Sequence, residues 1–173
     1  MNITFGTVLW NALIKVQKIV MIITGIATIL LVFVPLILRE TGIPFPAYEE
    51  FLLIFAFWMY MMGSSYGSYE RSQISADILS QFLKGKPKTV LLIIKQVGTF
   101  ILGAIFTYWG FVLVQWTHST GALTSVYKIP IIFGQISIFI SLLLSSIYNF
   151  VYMVEEIRNI INFHASGIQK TIR

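Results

Sequence analysis

At 173 residues, with 57% hydrophobic, 15% aromatic and 11% charged side chains, the chain falls well short of the roughly 25% charged residues of an ordinary soluble domain. Its 12 Lys and Arg against 7 Asp and Glu give a net charge of +5, a surplus that a membrane surface explains better than nucleic acid does. The chain has no cysteine, which excludes disulfides, thiolate metal sites and the quinone-linked dithiol chemistry of some small four-helix membrane enzymes.

In chain order, residues 1–18 place Thr4, Thr7, Asn11, Lys15 and Lys18 opposite Phe5, Leu9, Trp10, Leu13 and Ile14, the pattern of a helix lying in the headgroup plane. An uncharged run over 19–38 follows. It has no small-residue cleavage site after it, so it is expected to stay as a transmembrane helix and not to be removed as a signal peptide. Spans are further expected over 51–69, 89–117 and 129–154, since each approaches or exceeds the roughly 20 residues that cross a bilayer. Lys95 lies near the start of the third and can snorkel to the headgroups. The fourth is long enough to require tilt or an interfacial first turn. Residues 70–88 form a second amphipathic segment, with Ile74, Ile78, Leu79, Phe82 and Leu83 on one face and a stop at Gly85 and Pro87. The tail, 155–173, repeats the device with Ile157, Ile160, Ile161 and Ile168. The expectation is therefore an all-α membrane protein, a single domain over 1–173 with four transmembrane helices plus amphipathic interfacial helices.

Orientation follows from the cations, because Lys and Arg resist translocation. Lys15, Lys18, Arg71, Lys84, Lys86, Lys88, Arg158, Lys170 and Arg173 fall on one side, against Arg39 and Lys128 on the other. Both termini are thus expected in the cytoplasm. Tyr48, Trp116 and Tyr127 then lie at outer ends and Tyr66, Tyr69 and Tyr152 at inner ends, as interfacial aromatics prefer. Trp58, Tyr60 and Trp109 sit at membrane depth and read as packing residues.

An ionisable residue in mid-span costs several kcal/mol and is kept for function; none is found here, and His118 and His164 fall outside the spans. No catalytic, cofactor or metal residue is assigned. The strongest charged cluster is Arg39, Glu40, Glu49 and Glu50 on the outer side. Glu49 and Glu50 either dock an external partner or favour the start of the second span through its dipole, with Arg39 as counter-ion. Gly63 and Gly67 form a GxxxG pair, with Ser64 and Ser68 one residue on, and Gly134, Ser137, Ser141 and Ser145 make a similar stripe on the fourth span. Both serve close helix packing, within this unit or on a partner. Arg71 and Asp77 mark the cytoplasmic interface, where Asp77 is a solvated residue or a link to the start of the following span or to Arg71.

Glu50 opening the second span, the run Gly63, Ser64, Ser65, the segment RSQISADIL from Arg71 to Leu79 with its Asp77, and Ile129-Pro130 before the fourth span together resemble the DctQ-type family, the small membrane subunit of TRAP (tripartite ATP-independent periplasmic) transporters. The likeness extends over nearly the whole chain, although Gln73 stands where the family often has His. It implies a non-catalytic scaffold in the bacterial inner membrane, within a sodium-coupled importer of organic acids such as sialic acid or C4-dicarboxylates. Its implied partners are a large multi-span subunit holding the sodium and substrate sites, a periplasmic substrate-binding protein and membrane lipid, with no nucleic acid. Arg39, Glu49, Glu50 and Lys128 would then face the binding protein. Two other classes stay open on the residues alone: a self-contained small oligomeric transporter or channel using the serine stripe as a polar lumen, and a membrane adaptor for an unrelated enzyme.

Overall fold

The computed structural model describes residues 3–42, 45–70 and 86–171. The cytoplasmic-interface residues Arg71 and Asp77, and most of the amphipathic segment 70–88, lie outside the described residues. Four helices account for nearly all of the rest: α1 (Ile3–Glu40), α2 (Tyr48–Tyr69), α3 (Lys86–Thr120) and α4 (Ile132–Thr171). No helix break separates residues 3–18 from the span that follows. With neither Gly nor Pro between Thr7 and Thr24, the ladder is intact across this junction, and α1 runs for 38 residues with Pro35 in its last two turns, about 57 Å. The tail likewise continues α4 to 40 residues.

Among the described residues three stretches are long and apolar enough to cross a membrane: Trp10–Glu40 of α1, Ile93–Thr120 of α3 and Ile132–Arg158 of α4. The sequence led us to expect four. The difference lies in α2, whose second half is the small and polar run Gly63, Ser64, Ser65, Tyr66, Gly67, Ser68. At 22 residues α2 is still about 33 Å long, as long as a bilayer's hydrocarbon core is thick.

The helices pack as an open row in which α1 lies on α2, α2 on α4, and α4 on α3. Among the described residues α1 and α3 occupy the two edges. Pairings along the α1–α2 seam run antiparallel: Gln17 meets Ser65, and Met21 and Met59 lie across from Gly63 and Gly25. On the other side of α2, Trp58 donates to the Phe133 carbonyl at 2.9 Å and Tyr152 donates to the Tyr69 carbonyl at 2.5 Å, so α2 and α4 run parallel. Between α3 and α4, a Cβ at Gly110 would come within 3.2 Å of Leu142, and one at Gly103 within 3.7 Å of Ser146. Glycine there lets the two helices approach closely.

The interior is inverted relative to a soluble protein. Among the described residues the buried apolar side chains are Ile14, Pro35, Met62 and Tyr148, whereas Gln17, Thr24, Ser65, Ser68, Thr117, Ser137, Ser141, Ser146 and Asn149 are buried, and long rows of Ile, Leu, Val and Phe face outward. Lipid supplies no hydrogen-bond partner, so polar groups turn to each other between helices and apolar groups turn to the tails.

Candidate functional site

The end of the row that the sequence assigns to the outer side is organised by one carboxylate. α2 begins at Tyr48, which puts Glu49 and Glu50 in its first turn, and Ala47 ahead of it adopts φ 55°. From there Glu50 reaches the connection between α3 and α4. Its Oε2 accepts from the Thr124 hydroxyl at 2.6 Å and from the Tyr127 N–H at 3.0 Å, while Oε1 accepts from the Val126 N–H at 2.7 Å. The connection is itself a small hairpin. Thr124 and Ile129 exchange bonds through the Thr124 N–H and hydroxyl, both at 2.9 Å, and Leu123 bridges Pro130. Lys128 closes the turn at φ 54°, and the Tyr127 hydroxyl returns to the Pro46 carbonyl at 3.0 Å. Partial burial pushes the Glu50 carboxyl up. The hydroxyl of Thr124 and the N–H groups of Val126, Tyr127 and Ser125 outweigh that and hold it below its ordinary value of 4.5.

At the opposite end, Gln17 of α1 is 2% exposed and joins three helices. Its amide nitrogen donates to the Met62 carbonyl at 3.2 Å and to the Ser65 hydroxyl, and its amide oxygen accepts from the Tyr148 hydroxyl at 3.0 Å. Trp10 stacks edge-on against Tyr148 at 5.1 Å and Tyr69 packs at 5.7 Å. Lys18 sits 5.0 Å from the centre of the Tyr66 ring, a cation over an aromatic face. Along α2 and α4, Ser68 donates to Ser145 at 3.0 Å, Ser141 donates to the Met61 carbonyl, and Ser137 donates to the Gly134 carbonyl at 2.6 Å.

Of the residues singled out from sequence, Ser68, Ser137 and Ser141 are buried and Ser145 is half-buried at the α2–α4 seam. Gly63 faces Met21 and Gly67 is half-buried, but Ser64 is exposed and its neighbour Ser65 is the buried one. Arg39, Glu49 and Lys128 are exposed at the same end of the row as the hairpin, and Glu50 is engaged by it. Trp58 packs as expected of a residue at membrane depth, whereas Tyr60 and Trp109 face outward. Sequence reasoning missed Gln17 and Tyr148, and named Ser65 in the resemblance without assigning it to packing. The available signal was that Ile14, Gln17, Met21 and Thr24 keep a spacing of three and four, which places Gln17 inside an apolar stripe.

Apolar helices turned outward, joined by polar seams, define a multi-pass helical membrane protein. Residues 28–159 match the family described as tripartite ATP-independent periplasmic transporters, DctQ component, and the chain belongs to that family. It is the small membrane component of a TRAP transporter, resident in the inner membrane. No curated protein matches the chain.

Proposed function

We propose that this chain is the non-catalytic scaffold subunit of a sodium-coupled importer of organic acids, such as sialic acid or C4-dicarboxylates. It has four spans and both termini in the cytoplasm. The large membrane subunit carries the sodium and substrate sites. The observation that carries this reading is the open row of helices, whose seams are closed by buried polar side chains while both edges turn mainly apolar side chains outward. A body of this kind holds another membrane protein in place and needs no ionisable residue of its own in mid-span. Crossing by α2 is supported by contacts along its whole length, from Glu50 at one end to Tyr69 at the other, with flanking helices that are themselves long enough to span.

On the outer side, Arg39, Glu49 and Lys128 form the surface offered to the periplasmic substrate-binding protein, and Glu50 acts there by fixing the hairpin that presents Lys128. The serine stripe of α4 that a pore-forming oligomer would need as a lumen is engaged against α2 at Ser141 and Ser145. Gentle extraction of the tagged chain from its native membrane tests the reading. Recovery with the large multi-span subunit in equal amount is expected. Recovery as a homo-oligomer that transports alone would overturn it.

A further inference from the structure

Tyr108 and Trp109 of α3 are 63% and 62% exposed. They lie within about 4 Å, at 1.5 Å per residue, of the midpoint of the membrane-crossing stretch Ile93–Thr120. Their rings contact each other at 6.0 Å, but neither the Tyr108 hydroxyl nor the Trp109 indole N–H meets an acceptor among the described residues. Tyr and Trp ordinarily sit at the interfaces, where the polar tip reaches water. From mid-depth the nearest headgroups are about 15 Å away, beyond the reach of either side chain. A donor held in hydrocarbon with no acceptor is costly, and lipid tails provide none. The opposite edge of the row makes the contrast. The outward residues of α1, such as Ile22, Ile26, Ile29 and Phe33, are wholly apolar and need nothing that lipid lacks.

We infer that the outward face of α3 around Tyr108 and Trp109 is the seat of a transmembrane helix of the large subunit, one that carries hydrogen-bond acceptors at mid-depth. The occupant is protein because the face has donors to satisfy at a depth where lipid has no acceptor. Tyr60, 67% exposed near the middle of α2, is a second outward hydroxyl at a similar depth, on a helix that α4 separates from α3. The α1 edge is left to lipid. This inference rests on the proposed role as a subunit of a two-component membrane assembly.

The test places a photoreactive amino acid at Leu102 or Ile105 on the α3 face and at Ile22 or Ile26 on the α1 face, in cells that make the whole transporter. Crosslinks to the large subunit are expected from α3, with lipid alone labelled from α1. Capture of the large subunit from α1 and not α3, or only lipid or a second copy of this chain from α3, would overturn the inference. Co-recovery of the unmodified chain with the large subunit is the control that separates the two levels. If that recovery fails, the subunit reading fails. If it succeeds while α3 stays silent, only the assignment of the face fails. Tyr108→Phe and Trp109→Phe keep the surface apolar and remove one donor each. Both face away from this chain's own core, so folding is spared, and each is expected to lower recovery of the large subunit about threefold. Unchanged recovery in the double variant would also overturn the inference.

Discussion

Glu50 accepts the backbone N–H of Tyr127 at 3.0 Å across 77 positions of sequence. That bond ties the first turn of α2 to the turn between α3 and α4. The carboxylate is a fixed acceptor for a loop that would otherwise carry unsatisfied N–H groups. Replacing Glu50 with Ala is expected to raise amide exchange at Val126 and Tyr127 several-fold while membrane insertion is unchanged. Glu50→Gln, which keeps one acceptor oxygen, should fall between. Equal exchange in all three proteins would refute the anchoring role.

The pH dependence of this anchor has a defined sign. Because the folded carboxyl titrates below 4.5, its contribution is fully present above that value and is lost only as pH falls through the lower, folded one. Hairpin order, followed by exchange or by accessibility of a cysteine placed at Ser125, is expected to stay flat from neutral pH down to about 5. A transition centred above 5 would show that some other group controls the loop.

The Gln17 node gives a stability prediction. Interhelical hydrogen bonds in membranes average about 0.6 kcal/mol and reach about 1.7 kcal/mol. Tyr148→Phe, which removes one bond, is expected to lower stability by about 0.6 kcal/mol. Gln17→Ala strands both Ser65 and Tyr148 and should cost about 1–2 kcal/mol. Unfolding in mixed detergent micelles measures both, and a neutral Gln17→Ala would remove the node from the account of stability.

Adjacent serines of α2 differ in phase. Ser65 is fully buried against α1 while Ser64 is exposed. Ser65→Leu is expected to cost about 1–3 kcal/mol through overpacking, and Ser64→Leu to leave the stability of this chain within about 0.5 kcal/mol. The same unfolding assay decides, and a reversed order would mean that the helix phase is wrong.

Lys128 holds φ 54°, a left-handed conformation that disfavours a residue with a Cβ by about 1–2 kcal/mol. Lys128→Gly is expected to stabilise the hairpin by about 0.5–1 kcal/mol once glycine's greater freedom in the unfolded chain is subtracted. If Lys128 also meets the binding protein, that variant should become more stable while uptake falls.

Much of this architecture was legible from residues alone, because long uncharged runs admit few structures in lipid other than helices. Glu50 stood out as a carboxylate opening a span, but its partners did not, since a pairing across 74 to 77 positions leaves no local trace. Gln17 was hidden by its neighbours: between Lys15 and Lys18 it reads as part of a solvated face, and only the three-and-four spacing from Ile14 to Thr24 reveals otherwise. In the run Gly63 to Ser68 every residue but Tyr66 is small, so composition could not say whether Ser64 or Ser65 turns inward. The spatial order of the row is absent from any single stretch of sequence, because it is set by which seams interlock.

That order has a consequence for how the chain assembles as it is made. α1 and α2 are neighbours in both sequence and space and can pair as a hairpin as soon as both have entered the membrane. α3 enters next, and among the described residues its helical neighbour is α4, which has yet to be synthesised. The last helix then inserts between α2 and α3, completes both seams, and delivers the hairpin to Glu50. Until that moment α3 is a solitary helix in the bilayer, so truncation before Ile132 should yield a hairpin plus a loose helix, and the interval before α4 emerges is when quality control has an unpaired span to recognise.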